Sequence, residues 1–209
     1  KKIIKLSKDL GIYDNPDELL SVSLGSVETT LLKLTAAYST FVNKGKLVEP
    51  IIIDRIQDSE GNTIVNNEKR SCINCNQISF TGNFYPKIKD KYKQIFSPQT
   101  AYQVTSLLEG VIQRGTGKKL RKLKLNLAGK TGTTNENTDA WFIGYTSKYV
   151  IGIWIGNDDN TPLKNVSGGS LPTKIWKKIA IGIHDKRPKN ILTSHYDKKD
   201  SSLEGEKIK

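Results

Sequence analysis

Residues 128–156 read AGKTGTTNENTDAWFIGYTSKYVIGIWIG, and the predicted fold rests mainly on this stretch. It holds most of three strand-like runs, at 123–134, 140–145 and 149–156, which are rich in apolar and β-branched residues. The connections between the runs are short, at 135–138 and 146–148. Connections this short join antiparallel neighbours, because a parallel crossover needs a dozen residues or more.

Helical spacing of apolar residues surrounds these strands and predicts four helices, at 3–10, 30–43, 97–112 and 172–184. In the last helix Ile175, Trp176, Ile179 and Ile183 fall on one side, which we expect to be buried. Helices before and after a run of antiparallel strands indicate an α+β fold, in which an antiparallel sheet is flanked by helices.

The remaining segments are less regular. Residues 47–57 and 63–65 predict the strands of a hairpin, joined by a polar turn. Residues 66–95 are polar and show no sustained period, so we expect a surface insertion there. Residues 1–184 are then assigned to one unit, which is part of a larger domain and has the hairpin and insertion at 46–95, and the charged tail at 185–209 is predicted to be disordered.

The net charge of the 209-residue chain is 33 − 21 = +12, which favours anionic partners. The densest basic cluster, 118–124, is either a solvated face or a site for a polyanion. The apolar run at 150–156 is far shorter than the roughly 20 residues that span a bilayer. The absence of methionine, including an initiator, indicates a piece of a longer product.

Both cysteines lie in the predicted insertion, at Cys72 and Cys75. A structural zinc site would need two more ligands, and the histidines, His184 and His195, are more than a hundred residues away. The pair is therefore interpreted as a disulfide or as two inert thiols, and neither a metal nor another cofactor is predicted.

The sequence Gly129-Lys130-Thr131 is similar to part of a phosphate-binding P-loop, but it does not match the complete motif. That loop needs a glycine five residues before the Gly-Lys pair, and Lys124 stands there. Around Gly117 the equivalent position is Ile112. The sequence also lacks the Gly-x-Ser-x-Gly and His-Glu-x-x-His motifs of common hydrolases.

The segment from Lys130 to Thr133 suits a peptide-binding strand edge instead. Gly132 would let a substrate backbone approach closely, and an extended peptide could pair with the edge as an added strand. Thr131 and Thr133 would share one face at a period of two and offer hydroxyl groups to a carboxylate. With the charge of Lys130, this pattern predicts an acyl-transfer site for a peptide with a free C-terminal carboxylate.

The blocks around this segment closely resemble the transpeptidase domain of class A penicillin-binding proteins. The resemblance runs over residues 1–184 and is weakest at 46–95. The blocks that carry it are 23–28, 36–45, 111–117, 128–135, 139–146, 152–159, 168–169 and 172–176. Leu31 and Lys44 depart from the family pattern, which usually has Pro and Gly there.

The resemblance implies a serine-type D,D-transpeptidase that cross-links peptidoglycan stem peptides through an acyl-serine intermediate and binds β-lactams. It implies that Lys130 holds the substrate carboxylate and the proton network electrostatically, and that the Thr133 N–H donates a hydrogen bond in the oxyanion hole. It also implies that Thr131, Gly132, Thr133 and Thr134 bind substrate. The implied location is the outer, periplasmic face of the bacterial cytoplasmic membrane, with the anchor outside this segment.

Of the family's three motifs, only Lys-Thr-Gly is present. No serine has a lysine three residues later or an asparagine two residues later, so the segment lacks the nucleophile motif. The segment alone is therefore expected to be inactive, and its partner is the upstream part of the same protein. The alternative is a non-catalytic remnant or interaction module of the same fold. A nucleic-acid binder is supported by charge alone, so no nucleic-acid partner is predicted.

Overall fold

The structure is a computed structural model that describes residues 1–68, 70–73, 75 and 87–184. The α-helices are α1 (Lys2–Asp9), α2 (Leu31–Val42), α3 (Pro98–Gln113) and α4 (Leu171–His184). The strands are β1 (Arg55–Gln57), β2 (Thr63–Asn66), β3 (Ser71–Ile73), β4 (Lys87–Lys89), β5 (Ala128–Thr133), β6 (Asp139–Tyr145) and β7 (Val150–Gly156). Two 3-10 helices lie at Leu20–Leu24 and Lys118–Leu123. The predicted disordered tail lies outside the described residues.

The central sheet has the order β5-β6-β7, and both pairs are antiparallel. Ala128 pairs with Tyr145 at one end of β5, and Thr133 pairs with Ala140 at the other. Trp141 of β6 pairs with Trp154 of β7. The antiparallel arrangement predicted from the short connections is confirmed.

Phe142 and Tyr145 mark the two faces of this sheet, because side chains three residues apart on a strand point to opposite faces. On one face Phe142 belongs to a buried cluster with Ile112, Leu120, Leu127, Trp176 and Ala180. On the other face Tyr145 and Ala128 contact Tyr38, Phe41, Val42 and Leu108 of α2 and α3. Helices therefore cover both faces, and the predicted α+β fold is confirmed.

Side-chain caps fix the starts of the two helices that cover the Tyr145 face. The Thr30 hydroxyl accepts a hydrogen bond from Lys33 N (3.2 Å), and Ser97 Oγ accepts one from Thr100 N (3.1 Å). Each bond satisfies an N–H group that the first helical turn leaves without a partner. In the described part of the chain, no helix is both long and apolar enough to cross a membrane.

Trp176 ties α4 to the sheet and should dominate the stability of this face. It is fully buried, its ring meets Phe142 edge to face at 5.7 Å, and its Nε1 donates to Gly144 O at 3.1 Å.

Trp176→Ala should lower the free energy of unfolding by about 3–5 kcal/mol, the range for large buried aromatic side chains. Denaturant titration would measure it, with exposed Lys178→Ala as a control that stays within about 0.5 kcal/mol. Equal losses in the two variants would contradict this account.

The hairpin is shorter than predicted. The predicted strand at 47–57 is reduced to Arg55–Gln57, because only these residues pair with the four-residue strand β2. Pro50 also lacks the N–H group that a strand ladder requires. Within residues 66–95, where the sequence shows no sustained period, two short strands, β3 and β4, pair antiparallel. Strands of three residues are too short for alternation to show in the sequence.

Two boundaries nearer the central sheet also differ from the prediction. The strand predicted at 123–134 begins only at Ala128, because the basic cluster forms a 3-10 helix that ends with Lys124 at a φ of +52°. In α4 the buried side is centred on Thr173, Trp176 and Ala180, whereas Ile179 is 39% exposed. The apolar pattern of α4 thus predicted the position of the helix correctly. The buried side differs from the predicted side by a small rotation about the helix axis.

Candidate functional site

The predicted site residues lie on β5, an edge strand of the central sheet. In the described part of the chain β5 pairs with β6 alone, so its other edge faces no strand. Lys130 and Thr133 are exposed there, whereas Thr131 and Gly132 are half-buried. An edge strand with exposed polar side chains can accept an extended peptide as an additional strand.

The register assigns these side chains to two faces. Thr131 and Thr133 lie opposite Phe142 and Ala140, on the face that α4 covers. Lys130 and Gly132 alternate with them and lie on the other face. The prediction that the two threonines share a face is confirmed, and the lysine approaches the edge from the opposite side.

The backbone of Thr133 also points to the open edge. Thr134 N donates to Asp139 O at 3.2 Å, which makes these two residues a hydrogen-bonded pair of the antiparallel ladder. Such pairs alternate with pairs whose N–H and C=O groups point away from each other. The register therefore turns the backbone groups of Thr131 and Thr133 outward. Lys130 Nζ donates to one of them, Thr131 O, at 2.7 Å.

Two other segments of the chain form hydrogen bonds with the threonine side chains of this edge. Thr116, in the turn after α3, places its Oγ1 2.7 Å from Thr131 Oγ1, and either atom can donate. The loop before α4 contributes Gly168, whose N–H donates to Thr133 Oγ1 at 3.0 Å. Both segments belong to the blocks that carry the family resemblance, but the sequence predicts a role for neither. Their contacts span 15 and 35 residues, a separation that motif spacing cannot reveal.

Thr134 lies one residue beyond the end of β5, and its side chain closes the turn to β6. Its hydroxyl lies 2.8 Å from Thr138 Oγ1 and accepts a hydrogen bond from Asp139 N at 2.9 Å. Asp139 Oδ1 in turn accepts from Trp154 Nε1 at 2.6 Å. These bonds hold the turn beside the strand end, and a substrate-binding role for Thr134 stays a prediction.

A groove of about 470 Å³ lies between α2, the segment around Pro50 and the turn from β6 to β7. Its lining includes Leu32, Ser39 and Lys148, and none of the predicted site residues. The groove is therefore separate from the Lys130 edge.

The cysteines lie apart from this edge. Cys72, on β3, forms a disulfide with Cys75, and their Cα atoms are 5.7 Å apart. Of the two alternatives left open by the sequence, the structure has the disulfide. Within the described ranges no three His, Cys, Asp or Glu side chains are grouped to hold a metal ion.

Comparisons with known proteins agree with this geometry. A family model, the penicillin binding protein transpeptidase domain, matches residues 8–180. Penicillin-binding protein 1A of Rickettsia prowazekii is 39% identical over 171 residues, which cover 81% of this chain and 22% of that protein. Penicillin-binding protein 4 of Bacillus subtilis is 34% identical over 163 residues, which cover 77% of this chain and 23% of that protein. The chain thus spans about a fifth of the length of these relatives.

Solved structures show the same fold. The crystal structure of penicillin-binding protein 1A from Haemophilus influenzae matches with a TM-score of 0.67 at 27% identity, over 88% of this chain and 31% of that one. PonA1 from Mycobacterium tuberculosis matches in fold, with a TM-score of 0.66 at 20% identity, over 89% of this chain and 50% of that one. The resemblance predicted from the sequence blocks is confirmed, and this chain belongs to the family of penicillin-binding protein transpeptidase domains.

Proposed function

We propose that this chain supplies the carboxylate-binding edge of a peptidoglycan D,D-transpeptidase that also reacts with β-lactams. The observation that carries the proposal is the placement of Lys130, Thr131 and Thr133 along the open edge of β5, within a chain of the transpeptidase family. The substrate is a stem peptide that ends in D-Ala-D-Ala, and a penicillin binds in its place.

The edge has the groups that such a peptide needs. The outward backbone groups of Thr131 and Thr133 can pair with an extended substrate as neighbouring strands do. Its terminal carboxylate would accept hydrogen bonds from the two threonine hydroxyls, and the Lys130 ammonium would add a positive charge from the other face. Hydrogen bonds to an ionised group are about twice as strong as neutral ones, so the carboxylate fixes the position of the peptide.

The reaction needs a serine from outside these 209 residues. Its Oγ attacks the carbonyl carbon of the penultimate D-Ala, and the Thr133 N–H donates to the oxygen that becomes negative. The peptide bond breaks, and the terminal D-Ala leaves as a free amine after taking up a proton. An amine of a neighbouring stem peptide then attacks the acyl-serine, forms a new amide bond and releases the serine hydroxyl.

We place this reaction on the outer face of the bacterial cytoplasmic membrane, where stem peptides are located, with the membrane anchor outside this segment. The partners are then stem peptides and the upstream part of the same protein. No nucleic acid takes part, and residues 1–184 act as the C-terminal portion of the transpeptidase domain.

Covalent labelling tests this proposal. The full-length gene product should be acylated by a fluorescent penicillin, and peptide mass spectrometry should map the adduct to a serine that precedes residue 1. A short peptide ending in D-Ala-D-Ala should slow labelling, whereas its L-Ala-L-Ala counterpart should not. A full-length product that is folded but forms no adduct would instead be a non-catalytic module of this fold.

The disulfide should be dispensable for this reaction. Replacing Cys72 and Cys75 together by serine should leave the acylation rate of the full-length product within about twofold of the wild-type rate. The disulfide lies at the two-stranded β3–β4 sheet, which does not pair with the central sheet. Stopped-flow labelling would measure the rate, and metal analysis of the wild-type protein should find no bound zinc. A large loss of acylation would show that the β3–β4 sheet contributes to the site.

A further inference from the structure

We infer that Thr173 and Gly168 are positioning residues for the Thr133 hydroxyl, which they orient toward the substrate carboxylate. This inference rests on the proposed function, because it assumes that Thr133 binds that carboxylate. Neither Thr173 nor Gly168 needs to touch the substrate. Each acts through the next residue in a chain of hydrogen bonds that starts inside α4 and ends at the open edge of β5.

The chain of bonds begins at a buried side chain. Thr173, in the first turn of α4, is 1% exposed, and its Oγ1 donates to Gly168 O at 2.7 Å. Gly168 is itself buried, and its N–H donates to Thr133 Oγ1 at 3.0 Å. The buried hydroxyl of Thr173 thus holds the peptide unit on one side of Gly168, and the N–H of the peptide unit on the other side holds the threonine on the strand.

Gly168 lies flat against the sheet because it lacks a side chain. A Cβ atom on it would lie 2.5 Å from Gly132 O and 2.5 Å from Trp141 O, the carbonyl groups of a paired position on β5 and β6. Those oxygens belong to paired backbone and cannot move aside as a flexible side chain could. Any larger residue must therefore push the loop away from Thr133.

The N–H of Gly168 determines where the Thr133 hydroxyl proton can go. A threonine hydroxyl has one proton to donate and two lone pairs that accept. Since Gly168 N–H occupies a lone pair, the proton is directed away from the loop. On an exposed side chain at an open strand edge, that leaves the hydroxyl as a donor to an incoming carboxylate. Loss of the Thr173 bond would loosen the Gly168 backbone and let the Thr133 hydroxyl rotate.

The test compares two ligands that differ only in the carboxylate. Acylation rates of the full-length product are measured with benzylpenicillin and with its methyl ester, and their ratio reports carboxylate recognition. Thr173→Val, which keeps the shape but removes the hydroxyl, should lower the ratio about fivefold, the effect of about 1 kcal/mol from one hydrogen bond. Thr173→Ser should restore the ratio, and Gly168→Ala should lower it further.

Thr40→Val is the matched control, because Thr40 is likewise buried in a helix but its hydroxyl has no hydrogen-bond partner in the described part of the chain, so the same substitution should leave the ratio unchanged. If Thr173→Val does not fold, Thr173→Ala replaces it, and thermal melting identifies the folded variants. An unchanged ratio in Thr173→Val and Gly168→Ala, with a lowered ratio in Lys130→Ala, would overturn the positioning role alone. An unchanged ratio in Lys130→Ala and Thr133→Val would instead overturn the proposed function.

Discussion

The 209-residue chain, purified by itself, should show no covalent labelling by a fluorescent penicillin. Acylation needs a serine that is activated by a lysine one helical turn away, and no serine in the sequence has a lysine at that spacing. Lys130 is on a strand, and its ammonium donates to the carbonyl of Thr131. Gel fluorescence and intact mass would measure labelling, with the full-length product as the positive control. Stoichiometric labelling of the isolated chain would reveal a nucleophile within it and would refute this account of the site.

Lys130→Ala in the full-length product should slow acylation by benzylpenicillin by about a hundredfold. Groups that stabilise developing or bound negative charge in such sites are each worth about 10²–10³ in rate. The substitution removes a charge from an exposed side chain and leaves the β5–β6 register intact, so the melting temperature should change little.

Lys122→Ala is the control for this substitution, because Lys122 is an exposed lysine of the 3-10 helix just before β5. It removes the same charge from the same region without touching the strand edge, and its acylation rate should match the wild type. Equal rates in Lys130→Ala and the wild type would remove the role given to this lysine.

The sequence predicted the elements whose apolar patterns are long. β6 and β7 have seven residues each, and α3 and α4 have 16 and 14, so their periodicity is sustained. It failed for β3 and β4, where three residues cannot establish an alternation. It also extended β5 into the basic 3-10 helix, because Leu123 and Leu125 alternate with charged residues as a strand would.

The candidate site was predictable only where its residues are neighbours in the sequence. Lys130 to Thr133 are consecutive, so the period of a strand was enough to place the two threonines on one face. Thr116 and Gly168 reach those threonines through tertiary contacts, which depend on how α3 and α4 pack on the sheet. The need for glycine at position 168 follows from its surroundings in the structure, because the backbone oxygens of Gly132 and Trp141 leave no room for a Cβ atom.

A crystal structure of the full-length product acylated by benzylpenicillin would show directly whether the β5 edge binds the substrate carboxylate. We expect the penicillin carboxylate to lie within about 3 Å of the hydroxyls of Thr131 and Thr133, with the Lys130 ammonium close by and the ligand along the open edge of β5. A penicillin carboxylate bound elsewhere, with the β5 edge covered by another strand of the same protein, would contradict it.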